Sequence, residues 1–470
     1  MIFTELRFVG FFLLAFAVYW TLQRNRSRKI WLLACSYVFY GAWDWRFLSL
    51  IVVSTLIDFW VGVRLDGTDD PRRRKRFVTL SVCMNLGLLG FFKYFNWFLG
   101  SGVTLAQWLG IPVDEVTLSI VLPVGISFYT FQTMSYSIDV YRGKLKATHE
   151  LLDLALFVGF FPQLMAGPIV RAITFMPQLP ERRRFGWIMV RSCLTLFLLG
   201  FIKKAVVSDS IAEIIDKFYL NPSEFSTFST LLTGALFSVQ LDCDFSGYSD
   251  MAIGCAGLLG YNLCDNFDYP LFAPNITEFW RRWHISLSSW LRDYLYIPLG
   301  GSRGGTLFVW RNLMITMTLC GLWHGATWGM FLFGALHGVG LVVNRTWLRF
   351  RDARLPASVG TWLRYPGIVI TFAFFSWSLF LFRSPDIEGA WTGMRTFALL
   401  GDGGTRLIGD RLIWVLLGLA VVHALSYKRV LAAWWQRLPA PVFAGAYGML
   451  VAATLSMMHT HAEPFVYFQF

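Results

Sequence analysis

Long apolar runs constrain the fold of this chain more than any other feature of its sequence. Runs of this kind recur from residues 8–22 to residues 442–458, and residues 313–343 contain no Asp, Glu, Lys or Arg. A helix of about 20 apolar residues is long enough to cross the hydrocarbon core of a bilayer. We therefore predict an all-α polytopic membrane protein with roughly 10–12 membrane helices, supplemented by re-entrant and interfacial helices.

Charged residues are few, and they lie mainly between the apolar runs. They make up 15% of the 470 residues, whereas soluble domains have about a quarter. The formal charge of +12 resides in short basic segments such as residues 24–29 and 71–76. This distribution is typical of cytoplasmic loops and argues against nucleic-acid binding. With these segments in the cytoplasm, the N-terminus is predicted to be extracytoplasmic.

Two further features define the class of protein. Residues 8–22 lack the basic start and the small-residue end of a signal peptide, so we expect them to remain as a helix. None of the seven cysteines belongs to a CxxC pair, and both zinc sites and disulfide frameworks need closer or paired spacing. We expect no bound metal.

Proline and glycine interrupt two of the predicted membrane segments. In residues 116–140, Pro123 and Gly125 are expected to break the helix, and both a tunnel wall and a structural kink fit such a break. Residues 151–170 contain Pro162 and Gly167 and have basic clusters at both ends. A single crossing would leave one cluster on the wrong side of the membrane, so we predict a re-entrant hairpin.

The region after residue 207 combines an amphipathic segment with an acidic one. Residues 208–220 predict a short interfacial helix. The next apolar run, 228–259, contains Asp242, Asp244 and Asp250, and these carboxylates cannot face lipid. They either cap a helix break or pair with neighbouring arginines. We favour pairing of these carboxylates with neighbouring arginines over a direct catalytic role.

The C-terminal part predicts three more spans, at residues 366–382, 412–425 and 442–458. His459 and His461 follow the last of them. Histidines at the end of a span are expected to be solvated and carry no functional signal.

The stretch that begins at Asn275 contains the first candidate histidine. Asn275 is a good N-cap, and Glu278 is placed to reach back to the cap's amide. A helix starting there brings His284 onto an apolar face. The other residues of that face are Trp280, Trp283, Leu287, Trp290 and Leu291.

The second candidate histidine is His324, within the uncharged run 313–343. An ionisable side chain in such a run is costly, so it is a functional candidate. Gly321, Gly325 and Gly329 recur every four residues and predict close approach of another helix. A histidine that only bonds a neighbouring helix fits this pattern equally well.

Several blocks of the sequence resemble the signature blocks of the membrane-bound O-acyltransferase family. They are "DFSGYSDMAIGCAGLLGYNLCDNFDYP", "FWRRWHISLSSWLRDYLYIPLGG" and "LWHGATWGMFLFGALHG". The tail "PFVYFQF" also resembles the ending of many bacterial members. The greatest similarity is to bacterial members that acetylate secreted polysaccharides, such as alginate. The resemblance implies a helical fold around a central tunnel, with a cytoplasmic opening for the donor and an extracytoplasmic opening for the acceptor.

The resemblance also implies roles for individual residues. His324 matches the family's hallmark histidine and is expected to act as general base, and His284 matches a second position that orients the donor or shares the proton. Side chains expected to line the reaction chamber are Trp323, Trp328 and Tyr294. Arginines expected to attract the donor's phosphates are Arg281, Arg282, Arg292 and Arg303. Anchoring at the membrane surface explains these arginines equally well.

The implied activity is acetyl transfer from cytoplasmic acetyl-CoA, a substrate rather than a bound cofactor. The acceptor is a hydroxyl of an exopolysaccharide or of a periplasmic esterase-like partner, and the location is the bacterial inner membrane. The sequence contains no GxSxG elbow, which argues for direct transfer. D-alanyl transfer from a carrier protein in teichoic acid modification, and a proton-coupled transporter or flippase, are the alternatives. We expect three parts: residues 1–115, a catalytic core at residues 116–345, and residues 346–470.

Overall fold

The computed structural model describes residues 1–113, 118–356, 358, 362–409, 412–427 and 430–458, and these residues are mainly helical. The histidines predicted to be solvated, His459 and His461, and the C-terminal tail lie outside the described residues. The chain forms two compact units. The first comprises Met1–Phe197, Tyr248–Asp265 and Gly325–Thr327, and the second comprises Leu198–Gly247, Asn266–His324 and Trp328–Phe470.

The helices that begin in the first unit include several long apolar ones. They are α1 (Leu6–Thr21), α2 (Asn25–Asp44), α3 (Leu48–Asp66), α4 (Pro71–Leu89), α5 (Phe95–Trp108), α6 (Ile126–Tyr141), α7 (Leu151–Gly159), α8 (Phe161–Leu164), α9 (Ala172–Phe175) and α10 (Val190–Ile202). A 3₁₀ turn separates α2 from α3, and a π-helical segment, Gly90–Tyr94, joins α4 to α5.

The helices that begin in the second unit include the one that ends at His324 and the two that flank His284. They are α11 (Asp209–Leu220), α12 (Thr227–Leu258), α13 (Ile276–Arg282), α14 (Ile285–Leu291), α15 (Thr306–His324), α16 (Trp328–Arg354), α17 (Arg364–Arg383), α18 (Ile387–Phe397), α19 (Leu412–Tyr427), α20 (Val430–Arg437) and α21 (Ala440–Met457). Two π-helical segments, Lys203–Ser208 and Arg292–Tyr296, precede α11 and follow α14.

Four helical runs in the described part of the chain are long and apolar enough to cross a membrane: Asn25–Asp66, Pro71–Trp108, Arg364–Arg383 and Ala440–Met457. The apolar helices α1 and α19 are shorter. The all-α, polytopic class predicted from the sequence is confirmed. The total number of crossings stays a prediction.

A buried polar network holds three helices of the first unit together. Asp58 on α3 is fully buried and accepts hydrogen bonds from Ser81 and Asn85 on α4 and from Ser137 on α6. Thr133 on α6 donates to the side-chain oxygen Oδ1 of Asn85 at 3.1 Å. Because each carboxylate oxygen has a donor, burial of this acidic side chain is tolerated.

The two segments with predicted breaks are indeed interrupted. α6 begins at Ile126, after Gly125 in the left-handed conformation with φ +78°, and residues 118–125, which the structure describes, are not helical. In the segment 151–170, α7 ends at Gly159 and the four-residue α8 follows. The return of this segment to the same membrane face stays a prediction.

Of the two alternatives given for the acidic segment of the run 228–259, the helix break is wrong and charge pairing is found. α12 continues from Thr227 to Leu258. Asp244, within it, is fully buried and pairs with Lys204 at 2.7 Å, and the same ammonium lies 2.8 Å from Asp209. The partner is thus a lysine instead of the expected arginine. Charge pairing offsets part of the cost of burying these carboxylates, so the helix can continue through them.

Glycines bring α15 and α16 close together. A methyl group added at Gly321 would lie 2.2 Å from the Met330 carbonyl oxygen, and one at Gly334 would lie 2.3 Å from that of Met317. The predicted close approach at Gly321 is confirmed, but its counterpart is Gly334. The four-residue glycine pattern does not continue on one helix, because α15 ends at His324.

Candidate active site

The helix that starts at Asn275 is shorter than predicted. The Asn275 side chain accepts from the Glu278 N–H at 3.0 Å, as expected of an N-cap. The Glu278 carboxylate pairs with Arg281 at 2.7 Å instead of reaching back to the cap. α13 then ends at Arg282, and α14 starts afresh at Ile285. The single helix predicted through His284 is therefore wrong.

His284 itself forms the break between α13 and α14. Its φ of 45° is left-handed, a conformation that costs a non-glycine residue about 1–3 kcal/mol and that clusters at functional sites. Its ring Nδ1 accepts from the Leu287 N–H at 3.3 Å, so the imidazole caps α14. A nitrogen that accepts carries no proton, which places the proton of the neutral ring on Nε2.

The structure brings His284, His324 and Trp323 together. The two imidazole centroids lie 6.4 Å apart, and the Trp323 ring lies 5.7 Å from His284 and 5.0 Å from His324. All three side chains are buried, with exposures of 0–3%. The imidazoles are too far apart to bond each other directly, but both can contact one small group.

Aromatic rings surround this cluster. Phe245 of α12 lies 4.5 Å from the His284 ring and Phe382 of α17 lies 5.7 Å from the His324 ring. His324 also has Cys320 Sγ 4.0 Å from its Nε2, one helical turn earlier. An apolar shell of this kind strengthens electrostatic interactions inside it because it lowers the local dielectric constant.

The remaining predicted chamber residues lie differently. Trp328, at the start of α16, is 51% exposed and its ring lies 5.6 Å from Phe331. Tyr294 is half-buried, and its ring lies 4.9 Å from Trp290. Neither ring contact involves the two histidines.

The predicted phosphate-binding arginines are mostly exposed. Arg281 has a side-chain exposure of 69%, whereas that of Arg282, whose guanidinium lies over Tyr427, is 16%. A hydrogen bond to Asp293 raises the pKa of Arg292. Arg303 is exposed. These positions are compatible with attraction of an anion and with surface anchoring alike.

A third histidine of this region, His337, was not predicted as a candidate from the sequence. His337 on α16 is fully buried, and its Nδ1 accepts from the Trp280 indole N–H at 3.2 Å. Its Nε2 lies 3.0 Å from Ser378 Oγ. The signal that selects His324, an ionisable group in the run 313–343, selects His337 as well.

Comparison with known proteins assigns the chain to a family. The sequence model of the membrane-bound O-acyltransferase family matches residues 144–384. A probable alginate O-acetylase of Azotobacter vinelandii is 40% identical over 403 residues, which cover 86% of this chain and 79% of that protein. This chain belongs to the membrane-bound O-acyltransferase family. It is therefore a multi-pass membrane protein and an O-acyltransferase.

Two other relatives are named for different transferred groups and acceptors. A peptidoglycan O-acetyltransferase of Helicobacter pylori is 34% identical, covering 83% of this chain and 76% of that protein. A teichoic acid D-alanyltransferase of Streptococcus thermophilus is 31% identical, with 56% of this chain and 68% of that protein covered. The matched family region contains His284, His324 and His337.

The two histidines of the cluster have different surroundings. O-acyl transfer needs a base for the acceptor hydroxyl and a donor for the oxyanion that develops on the carbonyl. His284 has its Nδ1 occupied by the Leu287 N–H, so its Nε2–H is a donor. His324, at the end of α15, is the other imidazole of the cluster.

Proposed function

We propose that this protein transfers an acetyl group from cytoplasmic acetyl-CoA to a hydroxyl group outside the cytoplasm, with His324 as general base. The observation that supports this most is the buried cluster of His284, His324 and Trp323, with the neutral tautomer of His284 set by its cap. Two relatives named for O-acetylation, one of alginate and one of peptidoglycan, support acetyl as the group and a polysaccharide as the acceptor.

In the proposed reaction, His324 accepts the proton of the acceptor hydroxyl as its oxygen attacks the thioester carbonyl carbon. The His284 Nε2–H donates to the oxyanion that forms. When the carbon–sulfur bond breaks, the acetyl group remains on the acceptor oxygen. The departing thiolate takes the proton from His324, and the imidazole is neutral again.

The acceptor is proposed to be an exopolysaccharide such as alginate, or a periplasmic esterase-like protein that passes the acetyl group on. D-alanyl transfer from a carrier protein is the alternative, supported by the teichoic acid relative. Membership in an enzyme family favours both over the transporter predicted as a third possibility.

A reconstitution experiment distinguishes the two donors. The full chain, in lipid vesicles, is supplied with acetyl-labelled acetyl-CoA or with a D-alanyl carrier protein, and alginate oligosaccharides are the acceptor. Label on the oligosaccharide with acetyl-CoA alone is the expected result. Transfer from the D-alanyl carrier only would overturn the proposed donor.

Single substitutions at the arginines test the donor-binding role. Because Arg281 is exposed and Arg282 is largely buried over Tyr427, we expect Arg281→Ala to raise the KM for acetyl-CoA more than it lowers kcat. Arg282→Ala should lower the thermal midpoint as well. An unchanged KM in Arg281→Ala, with only a lower membrane yield, would favour surface anchoring.

A further inference from the structure

A basic pocket lies within the first unit, separate in sequence from every residue of the candidate active site. Its volume is about 960 Å³. Its lining contains four arginines, Arg28, Arg182, Arg183 and Arg184, and a single acidic residue, Glu181. In the described residues, none of these four guanidiniums lies within 4.0 Å of a carboxylate. The four arginines and one glutamate give the lining a net charge of +3. An anion is the ligand that such a lining favours.

Arg28 is the most buried arginine of the pocket lining and is only 3% exposed. Its guanidinium donates to the carbonyl oxygens of Leu22 at 2.8 Å and Arg183 at 2.7 Å. Its Cζ lies 4.9 Å from the ring centroids of both Tyr19 and Trp20. Buried charges in proteins are normally paired with an opposite charge. Here carbonyl dipoles and aromatic faces hold the guanidinium in place and leave its positive charge in the pocket.

The mouth of the pocket combines positive charge with exposed aromatic rings. Arg182 and Arg184 are exposed, and Arg184 lies over the Trp187 ring at 5.2 Å. Trp187 is 57% exposed and Phe185 is 52% exposed. Aromatic side chains of this kind are enriched at the membrane–water interface. A pocket with such a mouth is suited to a ligand whose anionic group lies at the level of the lipid headgroups.

We propose that this pocket binds the phosphate of an anionic phospholipid headgroup. A guanidinium is planar and always charged, and it offers paired donors to phosphate oxygens. Basic pockets between membrane helices bind acidic headgroups by the same chemistry. A soluble phosphate such as pyrophosphate would meet the same donors, but it has no apolar part to contact the exposed rings of Phe185 and Trp187.

Native mass spectrometry of the delipidated full chain tests this site. The protein in detergent is titrated with phosphatidylglycerol, phosphatidylcholine, CoA or inorganic pyrophosphate. Each interfacial cation contributes about a fivefold factor to the affinity for anionic lipid, so Arg182→Gln with Arg184→Gln should weaken phosphatidylglycerol binding on the order of 30-fold. Binding of phosphatidylcholine should not change.

The matched control is Arg72→Gln with Arg76→Gln on α4, which removes the same charge from two exposed positions of the same unit. This control should bind phosphatidylglycerol as wild type does, and the thermal midpoints of all three proteins without lipid should agree. An equal loss in both double variants, or no loss in either, would overturn the site. A loss confined to CoA and pyrophosphate would overturn the lipid as its ligand.

Discussion

Substitution of His337 tests how the region around the candidate active site is held together. The directions of its hydrogen bonds follow from its partners. An indole N–H can only donate, so Trp280 fixes Nδ1 of His337 as the acceptor at 3.2 Å. The proton of the neutral ring is then on Nε2, which donates to Ser378 Oγ at 3.0 Å. The Ser378 hydroxyl in turn donates to the Phe375 carbonyl at 2.7 Å.

This chain of bonds predicts different effects for Asn and Gln at position 337. The Asn oxygen can replace Nδ1 and keep the Trp280 bond, whereas the Gln amide replaces Nε2 and keeps the bond to Ser378. Trp280 is 8% exposed, and its N–H has no other acceptor among the hydrogen bonds of the described residues. Loss of the bond from Trp280 to position 337 therefore costs about 1–3 kcal/mol of stability. Ser378 retains the Phe375 carbonyl. His337→Gln should therefore destabilise the protein more than His337→Asn.

Thermal unfolding in detergent and acyl-transfer rates measure this difference. We expect the unfolding midpoint to fall in the order wild type, His337→Asn, His337→Gln, and the pH profile of kcat in His337→Asn to match wild type, since a ring bonded at both nitrogens is no base. His149→Asn, at an exposed histidine, is the control. A reversed order of midpoints, or a pH profile changed by His337→Asn, would refute the reasoning.

Two more substitutions test the contacts around the site. Lys204→Met leaves the buried carboxylates of Asp209 and Asp244 without their shared cation, so chemical unfolding should show a loss of stability of about 3–5 kcal/mol. The control, Lys217→Met, removes an exposed ion pair and should lose less than about 1 kcal/mol. Gly334→Ala places a methyl group against a backbone carbonyl of α15, so both the transfer activity and the unfolding midpoint should fall. In the control, Gly10→Ala, the added methyl group has no atom within 4 Å, so neither quantity should fall. Unchanged stability in Lys204→Met, or unchanged activity in Gly334→Ala, would contradict the packing described.

The amphipathic and apolar patterns predicted most helices but not the break at His284. Trp280, Trp283, Leu287 and Trp290 are all buried, as the single-helix pattern requires. The chain nevertheless changes direction at His284, because its ring caps α14 and its backbone adopts the left-handed conformation. Residues on both sides of such a break remain apolar, so hydrophobic periodicity does not reveal it. The sequence pattern identified His284 as a candidate but did not predict that its ring caps α14.

The buried charges show a second limit of the sequence. Asp244 could be recognised as a residue that cannot face lipid, yet its partner, Lys204, lies 40 positions earlier in the chain. No local pattern links two residues so far apart, so the sequence predicted pairing with a neighbouring arginine and not with this lysine. Similarly, the family resemblance implied that Trp323 lines the reaction chamber, whereas its contact with His284 depends on tertiary packing.

The central claim is that His324 is the base of the acyl transfer. The most direct test compares wild type, His324→Ala and the exposed control His149→Ala in lipid vesicles with acetyl-CoA labelled on the acetyl group. We predict that label reaches the acceptor in wild type and in the control but not in His324→Ala. All three proteins should unfold at the same midpoint temperature. Normal transfer by folded His324→Ala would contradict the account.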